Sequence, residues 1–348
     1  MSAPRPAAFA IPGDITTIAG GYIYERRLLE GLRELGREVL HVQLGASFPH
    51  PNQHDVADTV DQLLSLEPDR SLILDGFIVG TLPTDQLARI TAPMVAVVHH
   101  PLALESGLDE ARRDYLYRTE RDNLTLMRHV IVPSPHTAAM LTNRYDVTPD
   151  RITIARPGTD APLGPSAPVR PPLILSVGIQ HPRKGHDVLL AALAQLRHLD
   201  WSAVIVGSPY DPPHAAELAR LHASLGLGDR VRFAGQVSAA ELDHLYRSAT
   251  LFTLATRYEG YGIVFDEALA YGLPIVSCDV GAVSTTVPAS AGVLVPPEHP
   301  EALAIALAEL LTNDERRTQL AATAARAGTA LPRWTQTATL VGDVLDGL

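Results

Sequence analysis

The sequence predicts an α/β fold made of two doubly wound, Rossmann-like domains that face each other across a cleft. Three observations predict it. A chain of 348 residues is too long for one ordinary α/β core and suits two domains of roughly 150 to 180 residues each. Short apolar runs alternate with longer stretches of helical periodicity, which is the pattern of parallel strands joined by crossover helices. A proline-rich segment near the middle of the chain interrupts this alternation.

The N-terminal domain is predicted to span residues 1–165. Helical periodicity is clearest over 24–35 and 109–127. The apolar runs that we expect to form its strands are AAFAIP, EVLHVQL, SLILDG, MVAVVHH, HVIVPS and RITIARP.

The C-terminal domain is predicted to span residues 172–330, and residues 331–348 form a helix that we expect to return toward the N-terminal domain. The join at 161–172, APLGPSAPVRPP, contains five prolines, which cannot continue a helix or a strand ladder, so it is predicted to be a hinge. Helices are expected over 187–197 and 239–248. The predicted strands are LILSVG, WSAVIVGS, RVRFAGQ, TLFTLAT, LPIVSCD and AGVLVP.

Composition excludes several classes of function. The 28 basic and 39 acidic residues give a net charge of −11, which argues against nucleic acid or an anionic membrane as the main partner. The single cysteine, Cys278, excludes an internal disulfide framework and is expected to be a packed thiol at a strand end. No run of 18 apolar residues occurs and the N-terminus lacks a signal-peptide pattern, so the expected compartment is the cytoplasm.

Two facing doubly wound domains bind ligands at the carboxyl ends of their strands, so the residues that follow strands are the candidates for a site. Gly20 and Gly21 follow the first strand and precede a helix. They allow a phosphate or a sugar to approach the backbone closely, or they serve a loop that merely needs positive φ. Neither GxGxxG nor GxxxxGK[ST] occurs, so a nicotinamide or P-loop site lacks its main support.

His99 follows the fourth strand, in VAVVHHP. A strand-end histidine can hydrogen-bond a ligand hydroxyl or a developing charge without a fixed charge of its own at neutral pH. A structural histidine is the alternative. A metal site is not predicted, because no HExxH or similarly spaced ligand set occurs.

Arg183 and Lys184 lie in GIQHPRKG, between the strand LILSV and the next helix. A lysine, the forked donors of an arginine and the N–H groups of a helix start together suit a diphosphate. Two ordinary surface charges in a solvated loop are the alternative.

The stretch EGYGIVFDE at 259–267 places two acids eight residues apart, around two glycines and just before a helix expected to start near Ile263. The glycines allow the backbone to wrap a ligand. A carboxylate accepts two hydrogen bonds at once, so Glu267, one turn inside the helix, suits a ribose cis-diol, while Glu259 in the loop reaches deeper into the cleft. An acid pair that only answers the helix dipole is the alternative.

Taken together, these segments resemble the retaining glycosyltransferases of the GT-B fold, specifically glycosyltransferase family 4. The resemblance covers nearly the whole chain, from GGYIYERRLLEGLRELG through VVHHP, SVGIQHPRKGHDVLLAAL and GDRVRFAGQVS to RYEGYGIVFDEALAYGLPIV and PRWTQTATLV. It implies a catalytic role for His99 and Glu259. The donor-binding residues that it implies are Gly20, Gly21, Arg183, Lys184, Gly235, Val237, Gly260, Tyr261, Gly262, Ile263 and Glu267.

The resemblance implies transfer of a sugar from a nucleotide diphosphate to a hydroxyl group, with retention at the anomeric carbon. It implies no metal and no cofactor, and the absence of an Asp-x-Asp motif agrees. Many relatives have arginine where this chain has Ile179, so Arg183 is expected to replace it. The alternatives are a retaining sugar phosphorylase and a non-catalytic sugar-nucleotide-binding protein.

The acceptor is expected to be a soluble small molecule. Relatives that act on membrane lipids often carry a basic amphipathic helix, whereas IYERRLLEGLREL balances three arginines with Glu25, Glu30 and Glu34. The opening GGYIYERR and the segment VHHPLALESG also resemble a bacterial branch that includes pterin glucosyltransferases. The expected partners are therefore a nucleotide sugar and a hydroxyl acceptor, without nucleic acid or strong membrane association.

Overall fold

The computed structural model describes residues 4–105 and 107–348. The chain divides into two compact units. The first runs to Gly158 and also includes Pro332–Leu348, and the second is Thr159–Leu331. The first three residues of the predicted N-terminal domain, which also begin the segment tested for a signal peptide, lie outside the described residues, as does position 106 within the segment compared with the pterin branch.

The first unit contains a parallel six-stranded sheet with the order β2-β1-β3-β4-β5-β6. Its strands are β1 (Ala7–Pro12), β2 (Val39–Leu44), β3 (Ser71–Asp75), β4 (Met94–Val97), β5 (His129–Val132) and β6 (Ile152–Ile154). Its helices up to Gly158 are α1 (Gly20–Glu34), α2 (Gln53–Leu64), α3 (Gly76–Thr81), α4 (Thr84–Leu87), α5 (Glu110–Leu126) and α6 (Pro135–Arg144).

The second unit contains another parallel six-stranded sheet, with the order β12-β11-β10-β7-β8-β9. Its strands are β7 (Leu173–Val177), β8 (Ser202–Val206), β9 (Val231–Gly235), β10 (Leu251–Leu254), β11 (Ile275–Cys278) and β12 (Gly292–Val295). Its helices are α7 (His186–Gln195), α8 (Pro212–Ser224), α9 (Ala239–Ser248), α10 (Ile263–Ala270), α11 (Val283–Thr286), α12 (Pro300–Thr312) and α13 (Asp314–Thr329). The chain then enters α14 (Trp334–Asp346), which packs on α1 in the first unit.

Each sheet has one place where the direction of strand succession reverses. This switch point lies between β1 and β3 in the first unit and between β7 and β10 in the second. The loops that follow the two strands of a switch point diverge to opposite faces of the sheet and leave a crevice between them, where ligands of doubly wound sheets bind. The doubly wound α/β class predicted from the sequence is therefore confirmed in both units.

All twelve predicted strands are present, and their ends lie within three residues of the predicted ends. Helix α1 differs, because it begins at Gly20, four residues before the apolar periodicity. Glycine is a poor helix former, but the first turn of a helix needs no N–H bonds back along the chain and tolerates it. Gly20 and Gly21 therefore begin the helix, whereas the sequence placed them in a loop before it.

The predicted join at 161–172 lies inside the second unit. The N–H groups of Ala167 and Val169 donate hydrogen bonds to the carbonyls of Arg247 and Ser248, at the end of α9. Cys278 ends β11 and is 1% exposed, as expected of a packed strand-end thiol. Among the described residues, no helix combines the length and the apolar character that crossing a bilayer requires.

Close packing of α14 on α1 depends on a glycine. A Cβ atom at Gly31 would lie 2.7 Å from the Cβ of Ala338. At Gly342 in α14, a Cβ would lie 3.4 Å from Nη2 of Arg37, which is an ordinary contact. The same substitution therefore has opposite consequences at two helical glycines of one interface.

We expect Gly31→Ala to destabilise the protein, because overpacking costs about 1–3 kcal/mol, and this exceeds the gain of up to about 1 kcal/mol in helix propensity. Gly342→Ala is the matched control and should be neutral or stabilising. Denaturant unfolding followed by circular dichroism measures both. Equal midpoints for the two variants would contradict the packing described here.

Candidate functional site

In the second unit, two loops meet at the switch point between β7 and β10. One loop, 178–185, follows β7 and the other, 255–262, follows β10. The N–H of Arg257 donates to the carbonyl of Arg183 at 2.8 Å, and the hydroxyl oxygen of Thr256 lies 3.0 Å from the same carbonyl. The structure therefore brings the predicted cation loop and the predicted acid loop into direct contact.

Glu259 is the centre of this contact. Its side chain is 6% exposed, and its Oε1 accepts from Nζ of Lys184 at 2.6 Å and from the hydroxyl of Thr256 at 3.1 Å. Nη1 of Arg183 lies 3.7 Å from Oε2 of Glu259 and donates to the carbonyl of Tyr258 at 3.2 Å. The two cations that the sequence assigned to a ligand are thus also ion-pair partners of the first acid.

The two cations determine the charge state of Glu259. Burial acts to raise its pKa, but Lys184 and Arg183 outweigh burial and hold the pKa below its ordinary value. The carboxylate is therefore ionised at neutral pH. Lys184, Arg183 and Glu259 together carry a net charge of +1.

Glu267, the second acid, lies in the second turn of α10 and has a different environment. Its Oε2 accepts from the hydroxyl of Tyr246 at 2.7 Å. Burial raises the pKa of Glu267, the Tyr246 hydrogen bond opposes this rise, and Asp160 adds to it. Tyr246 itself stacks on Tyr271, with ring centroids 4.9 Å apart, so its hydroxyl is held in position. The two acids, although eight residues apart, are thus held by different partners.

The turn between the acids requires glycine at one position. Gly262 has φ +85°, and a Cβ there would lie 2.6 Å from the ring of Phe265. It directly precedes Ile263, the first residue of α10. Tyr261 is buried and its hydroxyl donates to Asp266, while Gly260 is buried beside it. These residues shape the backbone at the start of α10.

Gly235 and Val237 lie farther along the same sheet. Gly235 ends β9, the edge strand, with φ +64° and open space where a Cβ would lie. Val237 packs on the core. Strand β8 separates β9 from β7, so these residues lie at the same edge of the sheet as the acid and cation loops, but two strands away from β7.

Sequence reasoning missed two residues that support this site. Arg257 donates to both carboxylate oxygens of Asp187, at 2.9 and 2.8 Å, and also pairs with Glu298. Arg257 thereby links the loop 255–262 to the start of α7. Its position directly before YEGYG was the signal in the sequence that could have suggested a supporting role. Tyr246 lies on α9, 21 residues before Glu267. No local pattern links these two positions.

In the first unit, His99 lies two residues beyond β4 and meets the start of α1. A Cβ at Gly21 would lie 3.3 Å from Cδ2 of His99, so glycine lets the imidazole pack on the first turn of the helix. No atom lies within 4 Å of a Cβ at Gly20. Neither glycine has positive φ, so the alternative of a loop that needs it is wrong. Glycine at position 21 instead allows the His99 side chain to approach the backbone closely.

His99 also meets two buried acids. Glu25 of α1 and Asp75 at the end of β3 are 1% and 5% exposed, and ligand-type atoms of Glu25, Asp75 and His99 all lie within 4.8 Å of one another. Glu25 lies on the apolar face of α1, three and four residues before Leu28 and Leu29, and this was the missed signal in the sequence. One of the three acids in the predicted charge balance of this helix is therefore buried and does not lie on the helix surface.

A cavity of about 830 Å³ opens elsewhere in the first unit. Residues of α2, α4 and the start of α5 line it, among them Asp61, Asp85, Arg89 and Arg112. None of the predicted site residues lines this cavity. The predicted acids and cations lie instead at the switch point of the second unit.

Solved structures similar to this chain show its fold. Sucrose-phosphate synthase from Thermosynechococcus elongatus has a TM-score of 0.81 and 24% identity, with 98% of each chain covered. The Anabaena protein HepE, in complex with UDP and glucose, has a TM-score of 0.78 and 16% identity, with 98% of this chain and 100% of that chain covered. At such identities the likeness shows the fold, which is the GT-B fold that the sequence predicted.

A sequence match to a known family falls in the second unit. Residues 164–327, just under half of the chain, match the family described as glycosyl transferases group 1. A D-inositol 3-phosphate glycosyltransferase from Salinispora tropica is 35% identical over 218 residues, which cover 54% of this chain and 45% of that protein. The matched region spans about half the length of the first curated relatives.

We expect Lys184→Met to destabilise the second unit, because breaking a buried ion pair costs about 3–5 kcal/mol. Adding Glu259→Gln should restore part of this loss, since the buried carboxylate that lost its nearest cation is then replaced by a neutral amide. Arg316→Met is the control, because Arg316 and Glu309 form an exposed pair 4.0 Å apart whose loss should cost less than about 1 kcal/mol.

Unfolding free energies of the wild type, Lys184→Met, Glu259→Gln and the double variant measure the coupling between Lys184 and Glu259. The contribution of Glu259 should be present above pH 4.5, its ordinary pKa, and lost as the pH falls through its lower pKa in the folded state. In Lys184→Met this loss on the acid side should be smaller. Strict additivity of the two substitutions would show that the ion pair contributes nothing.

Proposed function

We propose that this protein is a retaining hexosyltransferase of glycosyltransferase family 4, which moves a sugar from a nucleotide-diphosphate sugar to a hydroxyl group of a soluble small-molecule acceptor. One observation carries the proposal. At the switch point of the second unit, Lys184 and Arg183 form ion pairs with Glu259. The second acid, Glu267, follows eight residues later inside α10. The group 1 domain match and the GT-B fold support the same activity.

In this proposal the diphosphate of the donor binds at Arg183 and Lys184. The net charge of +1 that these residues carry with Glu259 attracts an anion, and Glu259 keeps the two cations in place before the ligand arrives. As the bond between the anomeric carbon and the phosphate oxygen breaks, negative charge grows on the leaving diphosphate. Preorganised cations stabilise that charge most in the transition state.

Glu267 is proposed to bind the ribose of the nucleotide. A carboxylate can accept one hydrogen bond from each hydroxyl of a cis-diol. The hydroxyl of Tyr246 already occupies one lone pair of Oε2 and fixes the plane of the carboxylate. Glu259 and the backbone that follows it are proposed to face the transferred sugar, where positive charge develops on the ring.

The acceptor hydroxyl is proposed to attack on the face from which the diphosphate leaves, and the departing phosphate takes its proton. This path gives retention without a protein nucleophile. Protein cations meet the leaving group, so we propose a reaction that needs no metal ion. His99 of the first unit is proposed to hydrogen-bond the transferred sugar.

Two relatives guide the choice of substrates. HepE is described in complex with UDP and glucose, and the Salinispora relative is named for D-inositol 3-phosphate. UDP-glucose and an inositol phosphate are therefore the first donor and acceptor to test, with a pterin as the second acceptor, which is the prediction from the resemblance. A sugar phosphorylase and a non-catalytic sugar-nucleotide-binding protein are the competing functions.

Thermal stabilisation by a panel of UDP-, GDP- and ADP-sugars identifies the donor, because a ligand stabilises the folded state by RT ln(1 + [L]/Kd). Transfer to each acceptor is then followed by product analysis that reports the anomeric configuration. Stabilisation by inorganic phosphate together with phosphorolysis would favour a phosphorylase. Stabilisation by a nucleotide sugar without turnover on any acceptor would favour a binding protein.

Activity should survive a strong chelator, because Arg183 and Lys184 neutralise the leaving diphosphate. Initial rates with and without EDTA, after extensive dialysis, measure this. Loss of turnover in EDTA that Mg²⁺ or Mn²⁺ restores would overturn the metal-independent account of the leaving group.

The two acids should respond differently to loss of charge. Glu267→Gln should weaken binding of the donor and of free nucleoside diphosphate by roughly 10-fold or more, since a charged hydrogen bond is lost. Glu259→Gln should leave nucleotide affinity unchanged or slightly higher, because the net charge of the cation group rises from +1 to +2. Its kcat should fall by roughly 100-fold or more.

Calorimetric titration with the nucleoside diphosphate and steady-state rates with the intact donor test this pair. The raised pKa of Glu267 adds a pH signature, because its carboxylate must be ionised to accept from both ribose hydroxyls. Wild-type affinity should therefore fall on acidification at a higher pH than an ordinary glutamate would give. Glu267→Gln, the matched control, should lack this component. Equal losses of nucleotide affinity in both variants would refute the division of roles.

A further inference from the structure

The cluster of Glu25, Asp75 and His99 has no role in the function proposed above beyond the histidine itself. Oε1 of Glu25 and Nε2 of His99 are both buried, and they lie 3.6 Å apart. Neither atom has a hydrogen-bond partner within ordinary distance among the described residues. A buried polar atom that stays unsatisfied destabilises the fold, so the simplest arrangement that satisfies both is a hydrogen bond between them.

The surroundings hold the imidazole in this orientation. Its Cδ2 and Nε2 edge packs over Gly21, and the Tyr24 ring meets it edge-on with centroids 5.2 Å apart. The hydroxyl of Tyr24 donates to the carbonyl of Ala155 at 2.9 Å, so its proton is already committed. The hydroxyl of Thr137 contacts the carbonyl of His99 at 3.3 Å and fixes the backbone. Glu25 is thus the acceptor that Nε2 faces.

One distribution of protons satisfies the whole cluster. Oδ1 of Asp75 accepts from the N–H of Phe77 at 2.7 Å, and a carboxyl oxygen of Asp75 lies within 4.8 Å of one of Glu25. Two buried carboxyl groups this close are not both ionised, so one of them carries a proton. If Asp75 carries it and donates to one oxygen of Glu25, the other oxygen, Oε1, accepts from Nε2–H of His99. Each of the three groups then has a partner.

We propose that Glu25 is a positioning residue that fixes His99 as the Nε2–H tautomer, with Asp75 as the protonated carboxyl that orients Glu25. Nδ1 of His99 is then a hydrogen-bond acceptor, suited to a ligand hydroxyl. Burial raises the pKa of both acids, that of Glu25 to about 7, and lowers the pKa of His99, which agrees with a cluster that carries at most one negative charge.

The tautomer is measured by nitrogen NMR of ¹⁵N-histidine-labelled protein in slightly alkaline buffer, where His99→Gln identifies the His99 signals by their loss. The wild type should show a protonated Nε2 and an unprotonated Nδ1. Glu25→Met has a side chain of similar length without an acceptor, and it should release the tautomer. Asp75→Asn keeps one acceptor and one donor in the place of a protonated Asp75, so it should preserve the tautomer. Glu30→Met, at an exposed position of the same helix, is the control.

A protonated Nδ1 in the wild type, or an unchanged tautomer in Glu25→Met, would overturn the proposal. So would His99 signals that shift when a chelator is added, because a metal ion would then occupy Nε2. If Glu25→Met does not fold, the wild type and Asp75→Asn still decide the tautomer.

The kinetic arm of the test rests on the proposed function. Glu25→Met should lower kcat by roughly 10- to 100-fold with little change in donor KM, as expected for a displaced hydrogen-bonding group, and Asp75→Asn should retain most of the rate. A purely structural role would move the unfolding midpoint of both variants without this split. If no sugar transfer is found at all, the proposed function fails while the NMR result still stands.

Discussion

Burial of the Glu259 carboxylate is the constraint on which the arrangement of loops in the second unit depends. A carboxylate this deeply buried is stable only if a cation and hydrogen-bond donors accompany it. Lys184 supplies the cation from the loop after β7, and Thr256 supplies a donor from the loop after β10. The two loops are therefore joined at the switch point of the sheet before any ligand binds, and Arg257 extends the same link to the start of α7.

This constraint also explains how one short motif can contain two acids with separate properties. Glu259 is ionised because cations outweigh its burial, whereas Glu267 is partly buried, accepts from a neutral phenol and has a raised pKa. Gly262, which precedes α10, lies between the two acids: Glu259 is in the loop before it and Glu267 is in the second turn of the helix after it. The proposed function makes use of this difference, because neutralising a leaving diphosphate requires cations and binding a ribose requires a hydrogen-bond acceptor.

The first unit satisfies a comparable demand without a cation. Ligand atoms of Glu25, Asp75 and His99 lie within 4.8 Å of one another, and glycine at position 21 gives the imidazole room on the first turn of α1. Both candidate sites thus follow one rule of doubly wound sheets, since β1 and β3 define the switch point of one sheet and β7 and β10 that of the other. The group 1 match covers the second unit, so the sequence relationship is clearest where the acids and cations lie.

The sequence by itself determined the strands, the doubly wound class of both sheets and the GT-B fold, and it pointed to the loops of the candidate site. It could do so because buried parallel strands are read as short apolar runs, and because the acid motif and the PRKG loop each lie within a few consecutive residues. The predicted start of α1 was four residues too late. Glycine has a low helix propensity, but the N–H groups of the first helical turn need no hydrogen-bond partners within the helix, so glycine is tolerated there.

Only the tertiary structure decided which groups are paired. Lys184 and Glu259 are 75 residues apart, and Tyr246 and Glu267 lie on different helices, so no local periodicity relates them. Glu25 looked like one of several surface charges, and its burial followed from the packing of α1 against the ends of β3 and β4. Charge states depend on such neighbours, because burial and ion pairing act through distances in space and not along the chain.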